Sequence, residues 1–322
     1  MPRDAWDPRA LPDLAGRSYL VTGSNAGLGF FSCEQLARAG AHVVMTGRNP
    51  NRLTAARIAL ERRLADAARP VSVETLLLDS SNLGSIRAAA ATVRGRKKKL
   101  DGLLLNAGIV HPPRHREMTP DRNEIVFATN VLGHFALAGE LLIALAAARG
   151  RMVWVGSMST TLWPYDPVDP QLEAGYEPWR AYVQSKVATT ALAYEADRRL
   201  RAARVPVASV AVHPGYSRRG RTPRIRGVNE PSRLNRFVSN LQAPISQSKE
   251  HGAWALVRAL VDPAIEGGEY WGPALVAHGK PRRQSSAKIT RDREVAARLW
   301  QACEDATRMR WPLEKASRAG RR

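Results

Sequence analysis

A run of small residues between a short apolar strand and a helix constrains this chain more than any other feature. Ser18-Tyr19-Leu20-Val21-Thr22 reads as a strand, and Gly23-Ser24-Asn25-Ala26-Gly27-Leu28-Gly29 follows at once. A helix over residues 30–39 comes next, ended by Gly40, and a second strand covers 41–46. Strand, glycine turn, helix and strand make a βαβ unit, which calls for a parallel sheet. Glycines in such a turn let the backbone approach a pyrophosphate, and the following helix N-terminus supplies N–H donors and a positive dipole. The spacing is Gly-x-x-x-Gly-x-Gly. In this position it predicts dinucleotide binding rather than a plain tight turn.

The alternation continues down the chain. An Arg/Ala-rich helix at about 53–68, a strand at 71–78, a helix at 85–93 and a strand at 102–105 lead to Asn106-Ala107-Gly108. A long helix at about 124–148 precedes the strand 151–155. A Pro-rich loop over 163–178 leads into a helix carrying Tyr182, and a strand at 207–212 ends at His213-Pro214-Gly215. No internal repeat or interdomain linker interrupts the pattern. The predicted fold is α/β, a single doubly wound Rossmann-type domain with a central parallel sheet and helices on both faces. It would span 1–322, with its core at about 14–280 and a basic C-terminal helix and tail over 281–322.

Two further patterns bear on chemistry. At the end of the second strand, where an acidic residue would hold the ribose 2′-OH of NAD, the chain has Gly47 and Arg48, with Arg52 a turn later. A guanidinium there suits a 2′-phosphate, so NADP is preferred over NAD. Tyr182 and Lys186 stand four residues apart, on one face of a helix. An ammonium close to a phenol would lower the phenol's pKa, and such a phenol can exchange a proton with an alcohol or carbonyl oxygen.

Composition narrows the partners. Of 322 residues, 49 are Lys or Arg and 29 Asp or Glu, a formal charge of +20. Residues 214–240 hold seven basic side chains and one acidic, and 280–322 hold thirteen and five. These windows are six and eight positive, so they carry fourteen of the twenty net charges. The charge thus belongs to a loop and a tail, and without interleaved aromatic and basic residues it does not point to nucleic acid. Lys97-Lys98-Lys99 reads as a solvated turn. Cys33 and Cys303 form no disulfide framework and fit a reducing cytosol, with Cys33 read as core. The first residues lack the apolar run of a secretory signal, and the apolar run 135–148 is broken by Glu140 and too short to span a bilayer. A cytoplasmic protein without an integral membrane segment is expected. No metal site is expected: His111 and His115 lack acidic or Cys/His companions. In the tail, a helix over 292–307 with Val295, Leu299, Trp300 and Cys303 inward should pack on the domain, and the last five residues should be unstructured.

Together these stretches resemble the short-chain dehydrogenase/reductase family over roughly residues 14–280. The match runs through Thr22-Gly23-Ser24-Asn25-Ala26-Gly27-Leu28-Gly29, Asp79, Asn106-Ala107-Gly108, Asn130, Ser157, Tyr182 with Lys186, and Pro214-Gly215, in the family's order. The insert between Ser157 and Tyr182 and the run Gly267-Gly268-Glu269-Tyr270-Trp271-Gly272-Pro273 resemble the retinol-dehydrogenase and protochlorophyllide-reductase-like branch. The resemblance implies hydride transfer between NADP and an alcohol or carbonyl substrate, apolar by analogy with the branch. It implies Tyr182 as acid/base, Lys186 lowering its pKa and bonding the nicotinamide ribose, and Ser157 (with Ser159 as a nearby decoy) positioning the substrate oxygen. Asn130 would hold a relay water, Asp79 the adenine, and Asn106 the sheet beside the cofactor. A homo-oligomer through the Asn130 and Tyr182 helices is also implied. The chain departs from the pattern at Arg219, where the family usually carries a cofactor-bonding Thr or Ser. Five arginines between Arg218 and Arg226 could form an anion-recognising lid or a solvated loop. Two rival readings remain: a non-catalytic binding or regulatory protein on this fold, and a binder of anionic surfaces through the loop and tail.

Overall fold

One sheet runs through the chain in the order Ser72–Leu77 (β3), His42–Gly47 (β2), Ser18–Val21 (β1), Gly102–Leu105 (β4), Arg151–Val155 (β5), Ala208–Val212 (β6), Tyr270–Pro273 (β9) and Pro281–Gln284 (β10). Every neighbouring pair is parallel except β9 with β10. Two short strands, Ser217–Arg218 (β7) and Gln247–Ser248 (β8), pair separately. This computed structural model describes residues 6–7, 9–67, 69–96 and 99–321. Lys97 and Lys98 of the expected basic turn, the N-terminal residues 1–5 and Arg322 lie outside the described residues.

Both faces of the sheet are covered, as a parallel sheet requires. Side chains alternate across each strand, so on β4 Leu103 and Leu105 enter one apolar cluster and Leu104 the other. Helices α1 (Gly27–Arg38), α2 (Pro50–Arg63) and α8 (Lys249–Val261) close the second cluster with Phe30, Leu53 and Leu256. Helix α3 (Leu83–Arg96), the helix after β4 and α6 (Pro178–Ala202) close the first with Ile86, Phe135 and Leu192. The doubly wound α/β class is as the sequence predicts.

The helix after β4 is not uniform. It opens as α4 (Ile125–Phe127), widens to a π-turn over Ala128–Leu132 and continues as α5 (Gly133–Ala148). Glu124 caps it, its carboxylate accepting from the Val126 and Phe127 amides at 2.8 and 2.7 Å. By length and composition the whole helix could cross a membrane, but 78% of its apolar window is buried within the fold.

Several elements were not visible in the sequence. Helix α8 and strands β9 and β10 complete the sheet. α8 is buried along nearly its whole length and so lacks a polar stripe, while β9 is four residues ending in Gly-Pro. Helix α7 (Arg233–Leu241) sits between β7 and β8. The tail forms α9 (Arg293–Thr307) and α10 (Leu313–Ala319). Leu299, Trp300 and Cys303 face inward as expected, with Val295 half-buried. The ending is more ordered than expected: Arg318 and Ala319 belong to α10, because Trp311 and Ala316 are buried and hold the helix down. Trp6, ahead of the first strand, is buried beneath the Arg258 guanidinium at 5.4 Å.

Candidate active site

The strand order reverses between β1 and β4, and in such sheets the crevice at the carboxyl ends of those strands receives ligands. Gly23 follows β1 there, and Asn106-Ala107-Gly108 follows β4. The two turns are locked together by Thr22. Its hydroxyl accepts the Asn106 and Ala107 amides at 2.7 and 2.9 Å, and the Asn106 side chain donates to the Thr22 carbonyl at 2.8 Å. The expectation that Asn106 ties the sheet together thus has a geometric counterpart.

The glycine turn has the shape of a phosphate cradle. Gly23 takes φ +63, and a Cβ at Gly29 would lie 2.5 Å from the Gly23 carbonyl oxygen. Helix α1 begins with Ala26 as its N-cap, without a side-chain cap and without an acidic residue in its first turn. Its first amides are therefore open to an anion, and these residues fit a dinucleotide pyrophosphate. Ser24 contributes backbone only, because its hydroxyl donates to the Thr46 carbonyl at 3.2 Å and accepts the Thr46 amide at 2.7 Å. Asn25 and Leu28 are half-buried beside it, and Gly27 takes φ +59.

Arg48 is exposed just past β2. Asp79 spends its Oδ1 on the Ser81 amide and hydroxyl at 2.9 and 2.7 Å, which is the strand-end turn role. Pro214 and Gly215 are half-buried after β6, and Gly215 takes φ +62.

The four side chains expected to act in chemistry converge on this edge and are all buried. Tyr182 and Ser157 stand close enough for the Ser157 hydroxyl to favour the ionised phenol. Ser157 Oγ accepts from Ser159 Oγ at 2.8 Å and from the Ser159 amide at 3.1 Å. Ser159, read in the sequence as a decoy, is therefore the group that orients Ser157. Lys186 Nζ donates to the Val155 carbonyl at 2.8 Å and stands 5.9 Å from the Tyr182 ring centre. Asn130, in the π-turn, donates to Ser185 Oγ at 2.9 Å and to the Ile109 carbonyl at 3.2 Å, while its Oδ1 accepts the Ile109 amide at 2.8 Å. Its side chain thus bridges α6 to the Gly108 turn.

Electrostatics differ from the expectation in one respect. Burial pushes the Tyr182 phenol up, opposed by the neighbouring Ser157 hydroxyl, with no offsetting contribution from Lys186. The reason is that Lys186 points to a backbone carbonyl and is itself desolvated, which lowers its pKa to about 8. His134, bridging Thr22 Oγ1 at 3.1 Å and the Asn130 carbonyl at 3.2 Å, is pushed down to about 3 by burial and by Lys186, so it is neutral.

Trp179, not singled out from the sequence, stacks on Tyr182 with ring centres 5.3 Å apart. Their i, i+3 spacing in one helix was the available signal. The arginine loop is neither a free lid nor a solvated coil. Arg218 lies over Tyr216, Arg219 donates to the Glu230 carbonyl at 3.3 Å, and Arg221 donates to the Ser246 carbonyl at 2.6 Å. Arg224 and Arg226 are exposed. Thr222, three residues past Arg219, is buried, and its hydroxyl donates to the Arg218 carbonyl at 2.8 Å and accepts the Lys249 amide at 2.9 Å.

This order of motifs at the carboxyl edge of a doubly wound sheet can be set beside known proteins. The short chain dehydrogenase family model matches residues 17–225. The chain belongs to that family. As a short-chain dehydrogenase it is an oxidoreductase. It is 33% identical over 310 residues to a polyprenol dehydrogenase of Mus musculus, covering 92% of this chain and 86% of the relative. To retinol dehydrogenase 14 of Mus musculus it is 31% identical, with coverages of 90% and 86%, which agrees with the expected branch. A solved structure of an uncharacterised protein from Mycobacterium paratuberculosis superposes with a TM-score of 0.75 at 30% identity, covering 95% and 99% of the two chains.

Proposed function

We propose that this short-chain dehydrogenase is an NADP-dependent enzyme interconverting an alcohol and a carbonyl, with Tyr182 as the acid and base. The observation that carries the reading is the shared burial of Tyr182, of Lys186 one helical turn on, and of Ser157 beside them, next to the cradle at Gly23 to Gly29.

When bound, NADP supplies or accepts the hydride. The chain's own work is to hold and move a proton. Tyr182 Oη would give its proton to a carbonyl oxygen in reduction and take one from the alcohol in oxidation. Ser157, held by two bonds from Ser159, would position that oxygen. Lys186 would supply positive charge beneath the phenol as it ionises, and Asn130 would fix the turn after β4 against the helix bearing Tyr182. Gly23, Gly27, Gly29, Ala107 and Gly108 would line the dinucleotide, and Pro214-Gly215 its nicotinamide end. Arg48, exposed at the end of β2, supports the 2′-phosphate form. Asp79 retains Oδ2 for an adenine amine.

An apolar substrate is favoured by Trp179 stacked on Tyr182 and by exposed Leu162 and Trp163 on loops at the same edge. Two relatives also carry the names of alcohols, polyprenol and retinol. Fluorescence titration with NADPH, then a screen of carbonyl compounds, tests the proposal. Absence of saturable NADPH binding would remove it.

A further inference from the structure

Helix α7 faces the wrong way for an ordinary surface helix. In Arg233–Leu241 only Ser239 is buried. Leu234, Phe237, Val238 and Leu241 are 71%, 63%, 39% and 68% exposed, and Ile245 just beyond is exposed too. At roughly 100° per residue, the four apolar positions of α7 fall in an arc of about 100°, with Ser239 on the opposite side. An amphipathic helix normally turns its apolar arc to the core; this one turns a serine inward and its leucines and phenylalanine outward.

The arrangement is fixed by the chain. Ser239 sits on Gly220, where an added Cβ would come within 2.4 Å of its hydroxyl. The segment is held at its base by the β7–β8 pair and by Arg221, which bonds the Ser246 carbonyl at 2.6 Å. The β7–β8 stem follows Gly215, which comes directly after β6 at the carboxyl edge of the main sheet.

Charge decides what covers this face. The 214–240 segment has a net charge of six positive, and Arg219, Arg224, Arg226, Arg233 and Arg236 are exposed. A second copy would bring equal positive charge against it, and a neutral apolar partner would leave the arginines unmatched. Short amphipathic helices with outward apolar side chains and flanking arginines lie in the interface of bilayers containing anionic lipids. We infer that α7 and its arginine rim dock this enzyme on an anionic lipid surface, with the apolar arc among the acyl chains and the arginines at the headgroups. The inference stands apart from the proposed reaction, since it uses no residue of the Tyr182 group.

The test is co-sedimentation of the full chain with vesicles of phosphatidylcholine alone and of phosphatidylcholine with phosphatidylglycerol. Binding is expected only to the anionic vesicles, weakened by added salt. The combined change Leu234→Gln, Phe237→Gln and Leu241→Gln should weaken it by about tenfold or more, with NADPH affinity and thermal midpoint retained. The single change Leu234→Glu, which disturbs the fold least, should weaken it in the same direction. Arg233→Gln with Arg236→Gln should reduce the preference for anionic vesicles. The inference is overturned if the wild type stays in solution at physiological salt, or if the apolar variants bind vesicles as the wild type does. It is equally overturned if the triple change instead dissociates a dimer, or raises KM for a soluble substrate with vesicle binding intact.

Discussion

Lys186 and Val155 are tied across the candidate active site, the ammonium donating to the backbone carbonyl at 2.8 Å. The bond holds the cation below the Tyr182 ring from the end of β5. Burial also leaves a trace on stability. The folded pKa of about 8 lies below the ordinary 10.5, so between these values the unfolded chain carries the extra proton. Stability from this group is therefore fully present above about 10.5 and is lost as pH falls towards about 8. In urea unfolding, wild type should gain on Lys186→Met across that window by up to about 1.4 kcal/mol per pH unit. A constant difference between the two proteins would show that Lys186 is not desolvated.

Tyr182→Phe removes the hydroxyl and keeps the ring on which Trp179 stacks. Turnover should fall by a thousandfold or more, about 4 kcal/mol in activation free energy. NADPH affinity should stay near the wild-type value. Retained turnover would remove Tyr182 from the proton transfer.

Arg48→Ser should lower kcat/KM for NADPH by about tenfold to a hundredfold, the range expected for one charged hydrogen bond to phosphate. The value for NADH should change little. Equal losses with both cofactors would mean that Arg48 does not read the 2′-phosphate.

Gly29→Ala places a methyl 2.5 Å from the Gly23 carbonyl oxygen, a backbone atom with no room to yield. A stability loss of about 1–3 kcal/mol is expected from such overpacking. Loss of NADPH binding should accompany it, read by calorimetry and fluorescence together. An unchanged thermal midpoint with normal NADPH affinity would contradict the cradle.

The six strands β1 to β6 were legible because apolar runs, glycine turns and amphipathic helices alternate without a break. The convergence of Asn130, Ser157, Tyr182 and Lys186 was legible only as a familiar order of motifs, since the residues lie on three different elements. What escaped was anything set by burial or direction. Tyr182 was expected to be shifted down by a neighbouring charge, and desolvation shifts it up. Arginines 218, 219 and 221 read as loose charge, yet they bond carbonyls and an aromatic ring within their own loop. The spacing in α7 marks an apolar face, but only Ser239 against Gly220 reveals that this face points outward. β9 and β10 are too short, and too rich in Gly and Pro, to signal a strand by alternation.

The aromatic trio of Phe135, Trp300 and Trp311, with ring centres 4.7–5.5 Å apart, joins α9 and the turn before α10 to the helix that carries Asn130. Trp311 also donates to the Phe135 carbonyl at 3.2 Å. The C-terminal segment therefore works as a brace behind the wall of the candidate site. A chain ending before residue 293 would leave Phe135 uncovered five residues from Asn130, and the damage would reach the rate of the reaction as well as the melting temperature.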